Sequence, residues 1–92
     1  MTRKDILSAA EECVCTSRQA EYGPVEDNFA LIGDFWSIYM GGDVEFTAQD
    51  VAIMMSLLKI ARIATGQPKA DNFVDLAGYA ACAGEIATGG LK

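Results

Sequence analysis

Residues 47–66 read Thr-Ala-Gln-Asp-Val-Ala-Ile-Met-Met-Ser-Leu-Leu-Lys-Ile-Ala-Arg-Ile-Ala-Thr-Gly. Thr47 followed three residues later by Asp50 is the pattern of a capping box, and Gly66 ahead of Pro68 is a stop signal. Between Val51 and Ala64 only Ser56, Lys59 and Arg62 are polar, and they recur at i, i+3, i+6 along one narrow stripe. A helix that is apolar nearly all round belongs in the middle of a structure. This stretch therefore predicts an all-α fold built around a central helix.

The flanking sequence shows the same period. Downstream, Asp71 or Asn72 is expected to cap a fourth helix running to about Thr88 before Gly89-Gly90. Its Ala77, Gly78, Ala80, Ala81, Ala83 and Gly84 leave little bulk, so close approach is expected. The short connection Gln67–Ala70 makes helices three and four antiparallel neighbours, a hairpin. Upstream, Pro24 suits the first turn of a second helix that reaches about Met40 and ends at Gly41-Gly42. Phe29, Ile32, Phe35, Trp36, Tyr39 and Met40 form its heavy face. A first helix from about Arg3 to Ser17 opens with Thr2 and Asp5 in capping-box positions, with Ile6, Leu7, Ala10 and Val14 as its apolar side. Arg18 to Gly23 reads as a polar connector.

The chain has 92 residues, and residues 1–92 make one domain. Hydrophobic residues are 51% and charged residues 22%, which excludes a disordered chain. No apolar stretch approaches the ~20 residues of a membrane span, and no secretory signal is evident. Seven Lys+Arg against 13 Asp+Glu give a net charge of −6, which argues against direct nucleic-acid binding. Three Cys and no His suit a reduced cytoplasm. Cys13 and Cys15 point roughly 200° apart on a helix and cannot grip one metal ion, so all three read as small buried apolar residues. The absence of His excludes Ser-His or Cys-His catalysis. The surplus of apolar surface for so short a chain predicts a homo-oligomer.

Two constellations carry chemistry. Lys59 and Arg62 share one face of helix three, while Asp71, Asp75 and Tyr79 share a face of helix four. These sets converge at the closed end of the hairpin. The cations then pair with Asp75 and its neighbours, or snorkel to water, or are set to receive an anion, Arg62 as a bidentate fork and Lys59 as a point charge. The connector Arg18–Pro24 with Asn28-Phe29 combines a guanidinium, the Tyr22 ring, an amide and a helix N-terminus. It reads either as a helix–helix turn or as a place for a phosphate and base. No two acids in the chain are three apart, and only Asp71 and Asp75 are four apart. No helix therefore carries a dense carboxylate cluster, and no metal site is expected within one helix.

The set Arg18-Gln19…Tyr22-Gly23…Asn28-Phe29, Trp36, Thr47-Ala48-Gln49-Asp50-Val51, Lys59-Ile60-Ala61-Arg62 and Asp71-Asn72…Asp75-Leu76-Ala77-Gly78-Tyr79 resembles a family of small helical proteins of uncharacterised function, encoded mostly by phages and prophages. The pattern spans about residues 5 to 88. It is also distantly similar to the all-α nucleotide pyrophosphohydrolases of the MazG type. Their last helix carries an acid-rich motif comparable to Asp71…Asp75, followed by a Tyr at the position of Tyr79. Those enzymes hold Mg²⁺ with Glu-x-x-Glu and Glu-x-x-Asp motifs, spacings this chain lacks. The resemblance implies a four-helix, MazG-like, oligomeric protein that handles nucleotides.

The expected function is a phage-type binder of a phosphate-rich nucleotide, in the manner of sponges that sequester a cyclic-nucleotide immune signal of the host. Arg18, Lys59 and Arg62 would hold phosphates, Tyr22 or Tyr79 would stack on a base, Asn28 or Asn72 would read a base or ribose edge, and Asp75 would border the site. No cofactor is then required. The alternative is a Mg²⁺-dependent nucleoside triphosphate pyrophosphohydrolase, with Asp71, Asp75, Glu21 and Asp50 gathered across helices or subunits. A third is an acidic protein that inhibits a host defence factor, motivated by the net charge alone.

Overall fold

The computed structural model describes residues 1–89, and these are entirely helical and loop. Helix α1 (Arg3–Glu12) runs into a π-helical turn (Cys13–Ser17) and on into α2 (Arg18–Tyr22). Helices α3 (Val25–Tyr39), α4 (Ala48–Thr65) and α5 (Ala70–Thr88) follow. The expected first helix and polar connector are thus one rod reaching Tyr22. No Gly or Pro interrupts residues 3–22, so the chain stays helical until Gly23 turns it with φ +79°.

Both capping boxes form. Thr2 and Thr47 accept from the amides of Asp5 and Asp50, whose carboxylates accept in return from the two threonine amides. Elsewhere the termini differ from expectation. Pro24 sits outside α3 in extended conformation (ψ 135°), with its carbonyl accepting from Asp27 and Asn28. Lys69, not Asp71 or Asn72, occupies the cap position of α5 and supplies no side-chain bond. Asp71 instead lies in the first turn, where a carboxylate favours the helix dipole. Gly41 and Gly42 end α3 with positive φ, and Gly89 closes α5 in the left-handed conformation. Gly90 lies outside the described residues.

The core gathers Phe29, Val51, Ala52, Cys82 and Ala83, with Val14, Val25, Ile32, Trp36, Met55 and Tyr79 half-buried against it. Helix α4 is central, packed along α5 on one side and α3 on another, while α1 packs on α5. Close approach marks two glycines. A Cβ at Gly33 would collide with the Phe46 carbonyl oxygen, and one at Gly78 would press on Val14 Cγ1 at 3.0 Å. Trp36 meets Phe46 edge to face at 5.9 Å, pinning the 40–47 loop to α3.

Several expected core positions face solvent. Leu7 is exposed on α1, and the heavy face of α3 divides: Phe29, Ile32 and Trp36 turn inward, whereas Phe35, Tyr39 and Met40 are exposed. A helix advances about 100° per residue, so positions 29, 32/33 and 36 make one stripe, and 31, 35 and 38 make another. Helix α4, packed on by α5 and α3, still leaves Ile53, Met54, Leu57, Leu58 and Ile60 exposed. Cys82 is buried and Cys13 half-buried, but Cys15 is exposed, contrary to the expectation for all three. No helix among the described residues is long and apolar enough to cross a membrane.

Candidate functional site

Lys59 is buried on the α5-facing side of α4, one turn beyond Ser56, whose hydroxyl donates to the Ala52 carbonyl. Lys59 Nζ pairs with Asp75 Oδ2 at 2.8 Å, the sole ion pair among the described residues. Such burial is tolerable because the partner carboxylate compensates the desolvated ammonium. One cation of the stripe is thus neutralised within the chain. Arg62, one turn further on, is exposed. It has no carboxylate partner among the described residues.

Two concavities meet at Asp75. The first is a cavity of about 140 Å³ between the π-helical turn with α2, the start of α3, and the face of α5. Its walls are apolar and aromatic: Tyr22, Val25, Phe29, Ile32, Met55, Val74 and Tyr79. Its polar groups are Arg18, Gln19, Asn28 and Asp75. The Phe29 and Tyr79 rings lie 6.1 Å apart, tilted by 38°. The Arg18 guanidinium sits 5.9 Å from the Tyr22 ring centroid, a cation–π contact one turn along α2. The second concavity is an open depression where α4 meets α5, lined by Lys59, Arg62, Lys69, Asp71, Asn72 and Asp75, with Thr65, Gly66 and Gln67.

All eight residues singled out for ligand binding line these surfaces, but they divide between them. Arg18, Tyr22, Asn28 and Tyr79 line the cavity, Lys59, Arg62 and Asn72 line the depression, and Asp75 lines both. Of the carboxylates named for Mg²⁺, Asp71 and Asp75 share the depression, while Glu21 and Asp50 line neither surface. No three His, Cys, Asp or Glu side chains gather in metal-binding proximity among the described residues.

The sequence reading missed Lys69, which adds a third cation to the depression, and the pair Cys13 and Cys82, which line the cavity. The signal for Cys82 was its place at i+7 from Asp75 and i+3 from Tyr79 on one face of α5. Burial pushes the Cys82 thiol up from its ordinary value, with the Glu85 charge adding to the effect. It therefore acts as an uncharged wall residue.

The π-helical turn explains how Arg18 and Tyr22 reach the cavity. One extra residue per turn rotates all that follows by about 100° relative to α1, swinging α2 over the cavity mouth while Cys13 and Val14 stay on its wall.

Fold and surface together define a small all-α protein with an aromatic cavity opening beside a cationic depression. The chain belongs to the family described as Domain of unknown function (DUF6378), which matches residues 5–87. It is 47% identical over 75 residues to the Gene 55 protein of Mycobacterium phage L5, covering 82% of this chain and 47% of that protein. It is 36% identical over 83 residues to the Gene 55 protein of Mycobacterium phage D29, covering 90% of this chain and 54% of that one. The chain thus spans about half the length of the curated relatives it matches. No solved structure matches it significantly.

Proposed function

We propose that this protein binds a phosphate-bearing nucleotide, its planar part in the aromatic cavity and its phosphates over the cations of the depression. The observation that carries the reading is Asp75, which borders both concavities while anchoring Lys59 between them. A single small molecule lying across Asp75 meets rings and amides on one side (Tyr22, Tyr79, Gln19, Asn28) and Arg62, Lys69 and Asn72 on the other. Exposed Arg62, free of carboxylate partners among the described residues, is the natural bidentate phosphate donor. Lys59 positions Asp75 more than it meets the ligand. In this reading α4 and α5 form an antiparallel hairpin whose closed end is the phosphate side. A phage-type protein that holds a nucleotide unchanged in the host cytosol would act as a sponge for a host signal.

A second reading, hydrolysis by a MazG-like enzyme, is favoured by one observation, the presence of Asp71 and Asp75 beside Lys59 and Arg62 in one depression. Mg²⁺ there would need further carboxylates from another chain.

Arg62→Ala decides whether the surface binds anions. Calorimetric titration with ATP, ADP-ribose and a cyclic dinucleotide should show at least one ligand whose affinity falls about tenfold or more in the variant, as for loss of a charged hydrogen bond. The helical spectrum and melting temperature should stay unchanged, because Arg62 supports nothing internally. Equal affinity in both proteins, or no binding by the wild type, overturns the reading. Incubation of dNTPs with Mg²⁺ separates the two functions: pyrophosphate released by the wild type and lost in Asp75→Asn supports the enzyme, and intact nucleotide supports the sponge.

A further inference from the structure

Helix α4 carries a second apolar face that nothing among the described residues covers. Val51, Ala52, Ser56 and Lys59 are buried on its inner side. At about 100° per residue, Ile53, Met54, Leu57, Leu58 and Ile60 fall on the opposite arc, with Ala61 and Ala64 between them. Those five large side chains are 38–58% exposed, and both alanines are exposed. No charge interrupts the arc from Ile53 to Ala64: Lys59 is on the inner side, and Arg62 lies at the edge, turned to the depression.

We propose that this face is the contact surface for a second copy of the chain, in a two-fold dimer with Leu57 near its axis. Roughly 80–100 Å² remain accessible on each half-exposed aliphatic side chain, so the five contribute about 450 Å² per copy. This is more than half of the ~800 Å² per partner that a standard stable interface buries, before the alanines and flanking surface are added. The composition selects a like partner. A continuous charge-free face matches the cores of homodimer interfaces, which are more apolar than those of partners that come and go. A face this apolar needs cover whenever the chain exists, and the one molecule always present alongside it is another copy. Isologous pairing sets apolar arc on apolar arc, with Asp50, one turn before Met54 on the same stripe, at the end of the contact. Both concavities lie off this face, so the dimer is independent of the nucleotide reading.

Sedimentation equilibrium of the full chain over about a hundredfold range of concentration should give twice the chain mass. Leu57→Asp should weaken association by about 100-fold or more, since it would bury an unpaired carboxylate at the axis. Because position 57 faces outward within one chain, the helical spectrum should be retained. Leu57→Cys, combined with Cys13→Ser and Cys15→Ser, should form an inter-chain disulfide on mild oxidation, while Leu31→Cys on α3 in the same background should not. A wild type that is monomeric throughout overturns the proposal and leaves the face to a foreign partner or to further chain. A dimer indifferent to Leu57→Asp overturns it too. If Leu57→Asp fails to fold, the disulfide decides, and its absence in folded Leu57→Cys is equally fatal.

Discussion

Lys59 and Asp75 show how one buried charge constrains its neighbourhood. The lysine lies within an otherwise apolar helix and is buried, while the Asp75 side chain keeps 28% of its surface. The two partners are therefore unequal: losing the carboxylate strands an ammonium in the interior, whereas losing the ammonium leaves an aspartate that water can reach. Asp75→Ala should cost about 2–3 kcal/mol, somewhat below the range for a wholly buried pair. Lys59→Met, which keeps the volume and removes the charge, should stay within about 1 kcal/mol of the wild type. Chemical denaturation of the two variants checks the order, and equal losses would mean that the pair contributes as a symmetric surface bridge. The same residue pair shows what spacing reveals. The period of Ser56, Lys59 and Arg62 placed all three on one stripe, and i, i+4 spacing put Asp75 opposite. Spacing did not show that the stripe passes from interior to surface between Lys59 and Arg62, because burial depends on the neighbouring elements and not on period.

At the scale of elements, α3, α4 and α5 could be read from the sequence because each is bounded by punctuation that acts locally: Gly23-Pro24, Gly41-Gly42, Thr47 with Asp50, Gly66. The first rod could be read as far as Ser17, with its capping box, but not its continuation through Arg18–Tyr22. Residues 13–22 contain no Gly or Pro to mark a boundary, and no residue type in them signals the π-helical turn at Cys13–Ser17, where Val14 lies against Gly78. Two of the eight candidate site residues, Arg18 and Tyr22, follow that turn, so they could be named from the sequence but not placed. The capping box at the start of this rod has a pH signature. The Thr2 amide, then the Thr2 hydroxyl, holds the Asp5 carboxyl below its ordinary 3.8. A depressed folded-state value means that the cap's stabilisation is present above pH 3.8 and is lost as the pH falls through the lower folded value. Protection of the Asp5 and Ile6 amides, measured against intrinsic exchange at each pH, should fall below about pH 4, ahead of any change in α4, and Asp5→Asn should abolish that early step. Simultaneous opening of α1 and α4 would contradict it.

For the molecule as a whole, the central difficulty is how little of the apolar sequence lies inside. Val51 is the largest fully buried side chain among the described residues, and much of the interior is made by half-buried groups leaning on it. A single chain of this kind is marginal, since apolar burial and ordering entropy nearly cancel in domains this small. Two substitutions separate the stability held within a chain from that supplied between chains. Trp36 packs against the core and the Phe46 ring, which ties the long 40–47 loop to α3. Trp36→Ala should cost about 2–4 kcal/mol, toward the low end of aromatic truncations because the ring is only half-buried. In a chain of this length each kcal/mol is worth about 4–8 °C, so the melting temperature should fall by at least ~8 °C. That loss should be the same at every protein concentration, with the melting temperature of the variant still rising as concentration increases, because the α4 face is untouched. Leu57→Asp should behave in the opposite way, leaving a melting temperature that no longer responds to concentration. Differential scanning calorimetry of both variants over a dilution series reads the two behaviours directly. A Trp36→Ala protein that lost its concentration dependence would show that loop and interface are one cooperative unit.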